Sequence, residues 1–198
     1  HVVRLEKPHH DVRRPVIQPP EAARGGERVL HTEKLFGGYE DNVLLKDVDI
    51  RIGRGERVGI VGPNGAGKST LFALLTRLFT APGADIQLAG HDLNKTPRKA
   101  LAALGVVFQQ STLDLDLTVR QNLKYFAALH GLRGADAAAR IDAALDRLDI
   151  ADRATEKARK LNGGHRRRTE IARVLLHDPQ VLLLDEPTVG LDAASRAA

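Results

Sequence analysis

Nine consecutive residues, Gly62-Pro63-Asn64-Gly65-Ala66-Gly67-Lys68-Ser69-Thr70, carry the spacing G-x-x-x-x-G-K-[ST]. Gly62, Gly65 and Gly67 allow backbone conformations closed to residues with a Cβ, so successive amide N–H groups can point inward and cradle phosphate oxygens. Lys68 then brings a compact positive charge to the β- and γ-phosphates, Ser69 offers a hydroxyl to Mg2+, and the helix that follows adds the positive end of its dipole. A glycine-rich turn before an ordinary helix would show the same letters, so the flanks decide. Glu56 to Val61 reads as a short buried strand and Thr70 to Leu75 as an apolar helix start, and strand, loop, helix is the context this chemistry needs. The expectation is a nucleoside triphosphate site that works with magnesium.

A second set of residues supplies what such a loop lacks. Val181-Leu182-Leu183-Leu184 is a continuous apolar run suited to a buried parallel strand, and it ends in Asp185-Glu186. Carboxylates at that end of a strand emerge where ligands bind in open α/β sheets. Asp185 would hold Mg2+ directly or through water, and Glu186 would polarise the water that attacks the γ-phosphate. The bland reading of two acids at a strand end is a helix cap; a phosphate loop 117 positions upstream, from Lys68 to Asp185, favours the catalytic one. Gln109 ends another apolar strand, Gly105 to Gln109, and can sense a γ-phosphate, Mg2+ or attacking water there, or serve only as a polar terminus.

The elements that position these groups follow from pattern. Residues 1–28 hold four of the nine prolines and little periodic apolar content, and read as a flexible leader. Val29 to Phe36 and Val43 to Ile52 read as strands joined across Gly37 to Asn42. Tyr39 in that connection either stacks on an adenine ring or caps the sheet edge. Thr70 to Thr80 is a helix, Ala84 to Ala89 a strand, Gly90 a turn and Pro97 to Leu104 a short helix. Residues 111–165 change to helical periodicity, with helices over Thr118 to His130 and Asp136 to Leu148. A last helix runs from about Gly164 to His177. Its Arg166-Arg167-Arg168 run reads as an anion site or, more simply, as solvated arginines with Arg166 paired to Glu170. The expected organisation is a 1–28 leader, a 29–110 β-subdomain and first part of the core, a 111–165 helical subdomain and a 166–198 second part of the core.

Composition limits the alternatives. The 198 residues suit one core with a subdomain, and 42% hydrophobic with 28% charged residues is ordinary for a globular chain. The net charge of +5, from 30 basic and 25 acidic residues, is spread along the chain without a dense basic tract, so no nucleic-acid partner is expected. There is no cysteine and hence no disulfide framework, a pattern compatible with a reducing cytoplasm. No apolar run approaches the roughly 20 residues that span a bilayer. The chain begins at His1 and holds no methionine, which reads as a fragment of a longer frame.

Taken in order, Tyr39, the phosphate loop, Gln109, Leu161-Asn162-Gly163-Gly164-His165, Val181 to Glu186 and Val189-Gly190-Leu191-Asp192 resemble the nucleotide-binding domain of ATP-binding cassette (ABC) transporters over residues 29–198. Phe108 to Asp114 and Thr188 to Asp192 look most like the drug-export and nodulation type. The implied fold is α/β, a P-loop NTPase core with an N-terminal antiparallel β-subdomain and an inserted α-helical subdomain.

The resemblance also implies roles. Tyr39 matches the aromatic that stacks on adenine; Gly62, Pro63, Asn64, Gly65, Ala66, Gly67, Lys68, Ser69 and Thr70 match the ATP phosphate loop. Gln109 matches the glutamine that couples the magnesium site to a membrane partner. Asn162, Gly163 and Gly164 would contact ATP held by a second ATPase subunit, either a copy of this chain or a relative. Ser69, Gln109 and Asp185 would serve Mg2+, and Glu186 with Gln109 the hydrolysis. Membrane permease subunits would be the partners, with the chain cytoplasmic and peripheral on the inner face of the cell membrane. Asn162 stands where the family has Ser, and His165 where it has Gln. The chain ends at Ala198, before the family's switch histidine, so poor ATP turnover is expected of these residues alone. The rival readings are a soluble ABC ATPase acting on ribosomes or DNA, and a non-catalytic nucleotide sensor.

Overall fold

The segment from Arg28 to Gly53 alternates apolar and polar residues, and that alternation folds it into a long hairpin. The computed structural model describes residues 28–39, 42–80 and 84–185. Strands β1 (Arg28–Tyr39) and β2 (Asn42–Gly53) pair antiparallel, from Arg28 opposite Gly53 to Tyr39 opposite Asn42. Leu30 and Thr32 are buried, and the next buried position is Leu35 rather than residue 34. A slip of one residue would turn the rest of the strand inside out, and the ladder absorbs it with a register shift between Thr32 and Leu35. Lys34 takes the left-handed conformation there, at φ 49°, and its amide donates to Asp49 Oδ1 at 2.7 Å.

Strand β3 (Asp85–Leu88) pairs antiparallel with β1, and β4 (His91–Asp92) with β3, giving the order β2-β1-β3-β4. Ala89 and Gly90 connect β3 to β4 with φ of 50° and 77°, the two left-handed residues that a tight hairpin turn requires. This is the expected antiparallel β-subdomain, with its strands a few residues longer or shorter than the pattern predicts.

Helix α1 (Lys68–Leu75) buries Leu71, Leu74 and Leu75. It lies so close to β1 that a Cβ on Gly37 would come within 2.7 Å of Leu74 Cδ1. The sequence predicts this helix to Thr80, but it stops at Leu75. The Thr76 hydroxyl bonds back to the Phe72 carbonyl at 2.8 Å and Arg77 turns left-handed at φ 58°, which the i to i−4 ladder cannot follow. Helix α2 (Pro97–Ala102) carries its proline in the first turn, where a missing N–H costs nothing.

One expectation fails outright. Residues 56–61 form no strand, and Val61 is 82% exposed. Apolar propensity makes a strand only where a ladder partner is present, and this stretch joins neither of the two sheets among the described residues.

The chain divides after Leu104 into two units. In the second, β5 (Leu104–Val107) pairs with β6 (Val181–Leu184). Only Val181 of β6 is fully buried, less than its apolar run predicts, because a two-stranded sheet leaves much of each face uncovered. Helices α3 (Val119–Leu129), α4 (Gly134–Arg147) and α5 (Gly163–Leu175) pack around Leu123, Ile141, Leu145, Ala172 and Leu176. A capping box starts α3: Thr118 Oγ1 accepts from the Gln121 amide at 3.1 Å, and Gln121 Oε1 accepts from the Thr118 amide at 2.8 Å. Next to it within α3, buried Asn122 exchanges 2.9 Å hydrogen bonds with the backbone of Asp114, fixing the loop that leads from Gln109 into α3.

Candidate functional site

The phosphate loop closes directly on α1. Gly65 and Gly67 take φ of 82° and 85°, so both need glycine for the left-handed backbone. Gly62 does not; its lack of a Cβ serves proximity instead, since a Cβ there would lie 3.1 Å from the Ala66 Cβ. Gly67 is the N-cap of α1 and no side chain caps the helix, which leaves the first-turn amides without a side-chain acceptor. Pro63, Asn64, Gly65, Ala66 and Ser69 are exposed, so this rim of amides and the Ser69 hydroxyl open to solvent. Lys68 reaches back along the loop and donates from Nζ to the carbonyls of Gly62 and Pro63. Thr70 is buried, its Cγ2 3.4 Å from where a Cβ on Gly37 of β1 would stand.

In the second unit, Asn162 is the N-cap of α5, its Oδ1 accepting from the His165 amide at 2.8 Å. Gly163 and Gly164 are the first helical residues, with no Cβ to shield their amides. Asn162 thereby replaces serine with another good N-cap, and its side-chain NH2 keeps two donors. Asp185 follows β6, and its amide donates to the Val107 carbonyl at 2.9 Å. The ends of β5 and β6 are therefore side by side, with Gln109 two residues beyond Val107 and Asp185 at the adjacent strand end.

The arginine run behaves differently from its pattern. Arg166 does not pair with Glu170; it donates to the carbonyls of Ala158 and Arg159 at 3.1 and 2.9 Å, clamping the short 3-10 turn before Asn162. Glu170 pairs instead with Arg167, at 3.2 Å, and both are buried. A helix turns about 100° per residue, so three adjacent arginines cannot share one environment. Arg167, Glu170 and Val174 recur at i, i+3 and i+7, the spacing of an inward face, and that spacing could have identified the buried pair.

Residues 45–189 match the sequence model of the ABC transporter family. The chain belongs to the ABC transporter family. It is 42% identical over 159 residues to the daunorubicin resistance ATP-binding protein DrrA3 of Streptomyces coeruleorubidus, an alignment covering 80% of this chain and 50% of that protein. It is 39% identical over 168 residues to the Nod factor export ATP-binding protein I of Cupriavidus pinatubonensis, covering 85% and 52%. Among solved structures it superposes on cbiO1 from Clostridium perfringens, part of the ABC transporter complex cbiONQ, with a TM-score of 0.78 and 32% identity, covering 86% of this chain and 70% of that one. The chain spans about half the length of the curated relatives it matches.

The fold is thus that of an ABC ATPase domain, a mixed α/β P-loop NTPase, as its motif order implies. Within this ABC domain Tyr39 ends β1 opposite Asn42. Glu186, the 1–27 part of the leader and Val189 to Asp192 lie outside the described residues. Among the described residues no three His, Asp or Glu side chains cluster as a metal cage. Mg2+ bound with a nucleotide keeps waters and phosphate oxygens and needs only one or two protein oxygens. The Ser69 hydroxyl, Gln109 amide and Asp185 carboxylate are donors of that kind. No described helix is long and apolar enough to cross a membrane.

Proposed function

We propose that this ABC domain binds ATP with Mg2+ and hydrolyses it as the ATPase subunit of an exporter. The observation that carries the reading is the phosphate loop: Gly65 and Gly67 left-handed, and the uncapped N-terminus of α1 directly behind them. Amides of the Gly62 to Thr70 segment would take the phosphates, Lys68 would neutralise them, and Tyr39 would stack on the adenine. Ser69, Asp185 and Gln109 would hold Mg2+, which when bound neutralises charge on the phosphate oxygens. Glu186 would orient and polarise the attacking water, with Gln109 beside it. Two strand ends held side by side by the Asp185 to Val107 hydrogen bond support giving Gln109 and Asp185 a common task.

The exporter assignment rests on relatives whose names describe daunorubicin resistance and Nod factor export. The domain would work with separate membrane permease subunits, peripheral on the cytoplasmic face. A second ATPase subunit would meet the α5 start, where Asn162, Gly163 and Gly164 would approach ATP held by the partner. The Asn162 cap and bare glycine amides support that use of the helix dipole. The expected organisation stays 29–110 and 166–198 for the core, with 111–165 as the helical subdomain. Titration with a fluorescent ATP analogue is the first test: Lys68→Ala should weaken binding by at least about tenfold, as loss of a charge-assisted phosphate contact predicts. Unchanged affinity would overturn the site. In the full-length protein Glu186→Gln should keep ATP binding and abolish turnover, and parental turnover in that variant would remove Glu186 from the mechanism.

A further inference from the structure

Arg167 stands one turn into α5 and is 7% exposed, and Glu170 is 3% exposed. Its Nη1 donates to the Phe108 carbonyl and to Glu170 Oε2, and its Nη2 donates to the Asp185 carbonyl at 2.7 Å. Glu170 Oε1 in turn accepts from the Thr112 amide at 3.1 Å. Phe108 immediately precedes Gln109, and Asp185 immediately precedes Glu186. One guanidinium therefore fastens the last carbonyls before both proposed catalytic residues to the helix that begins at Gly163. Its carboxylate partner fastens the far side of the Gln109 loop.

A buried ion pair is a poor means of adding stability, because desolvating two charges offsets most of their attraction, and apolar residues of similar volume do as well. What the pair supplies is direction. The guanidinium is a planar fork whose nitrogens reach two carbonyls at a set separation, and an ammonium cannot reproduce that.

We propose that Arg167 is a positioning residue for hydrolysis, holding Phe108, next to Gln109, and Asp185 at one fixed spacing and tying that spacing to α5. The proposal rests on the ATPase reading above. Any rotation of α5 about its axis would drag both strand ends together, since the same side chain holds both.

The test uses the full-length protein with Arg167→Met, Arg167→Lys, and the double variant Arg167→Met with Glu170→Gln. The double variant removes both charges, so no carboxylate is left buried and unpaired, and its melting temperature checks that folding survives. It should bind the fluorescent ATP analogue within about twofold of the parent, because the phosphate loop is untouched, while kcat falls at least about tenfold. Hydrogen exchange at the Asp185 amide and around Gln109 should quicken, a readout that does not depend on turnover. Arg167→Lys, which keeps the charge, should share the loss of kcat. A double variant or a lysine variant that melts like the parent and keeps parental kcat and exchange overturns the positioning role and leaves the ATPase reading standing. A parent that binds no ATP overturns the reading beneath it, and the positioning role with it.

Discussion

A Cβ on Gly67 would stand 3.0 Å from Leu45 Cδ2 and 3.4 Å from the Leu44 carbonyl, so the phosphate loop is pressed against β2 at the residue where α1 begins. That contact adds to the left-handed φ of 85°. Gly67→Ala should destabilise the protein by about 1–2 kcal/mol from the backbone conformation alone, and more where Leu45 cannot yield. ATP affinity should fall with it. Gly90→Ala is the control: φ is 77° but nothing lies within 4 Å, so it should lose stability without losing ATP. Chemical denaturation and ATP titration of the two variants separate the effects, and equal ATP loss in both would remove the special role of the loop.

Asn162→Ser should leave stability within a few tenths of a kcal/mol, since both residues cap helices well, whereas Asn162→Ala should cost about 1 kcal/mol. The Asn162 oxygen that accepts from His165 is what the alanine variant loses. Denaturation midpoints of the pair decide it; an alanine variant as stable as the serine one would mean the cap contributes nothing.

The capping box of α3 gives a prediction for the second unit. Thr118→Ala removes the acceptor for the Gln121 amide and should lower stability by about 0.5–2 kcal/mol with ATP affinity unchanged. A fall in affinity as large as the fall in stability would contradict the placement of the nucleotide site at the loop.

Acid should weaken the helical part of the second unit. His130 stacks on His177 with ring centroids 4.1 Å apart and touches Phe126 at 4.5 Å, and Arg173 places a further positive charge 5.1 Å from that Phe126 ring. Partial desolvation beside the Phe126 and His177 rings holds the His130 imidazole below its ordinary 6.5. The unfolded chain therefore takes up a proton first as pH falls through about 6.5, so this contribution is present above that value and fades toward the lower folded value. Melting temperature should drop between about pH 7.5 and 5, and His130→Phe, which keeps the ring but cannot titrate, should flatten part of the drop. An equally steep profile in that variant would exclude His130 as a source.

Much of this was legible in the sequence because the relevant signals are local. Alternation marked β1 and β2, a helical period marked α3 and α4, and the loop glycines marked the start of α1 within two residues. The failures share a cause: each depended on what the segment meets in space. Residues 56–61 have strand composition but no ladder. Apolar residues continue past α1 to Leu78 and Phe79, yet Thr76 and Arg77 turn the backbone away after Leu75. Arg167 looked like its two neighbours, and only its phase on α5 separates the buried fork from the half-buried clamp of Arg166 and the exposed Arg168. Gly62 looked like Gly65 and Gly67, and only its dihedral angles show that crowding, not a left-handed turn, requires it.

The side chain that begins α5 also sets when its order is acquired. Because the Asn162 oxygen already holds the His165 amide, the first turn of that helix is fixed during folding and not at an encounter. An anion arriving there, as proposed for ATP held by a second subunit, would meet donors whose conformational entropy has been lost beforehand, so association would need no local freezing step. Speed of engagement at this helix should then be governed by diffusion and charge, with little temperature-dependent delay from loop ordering.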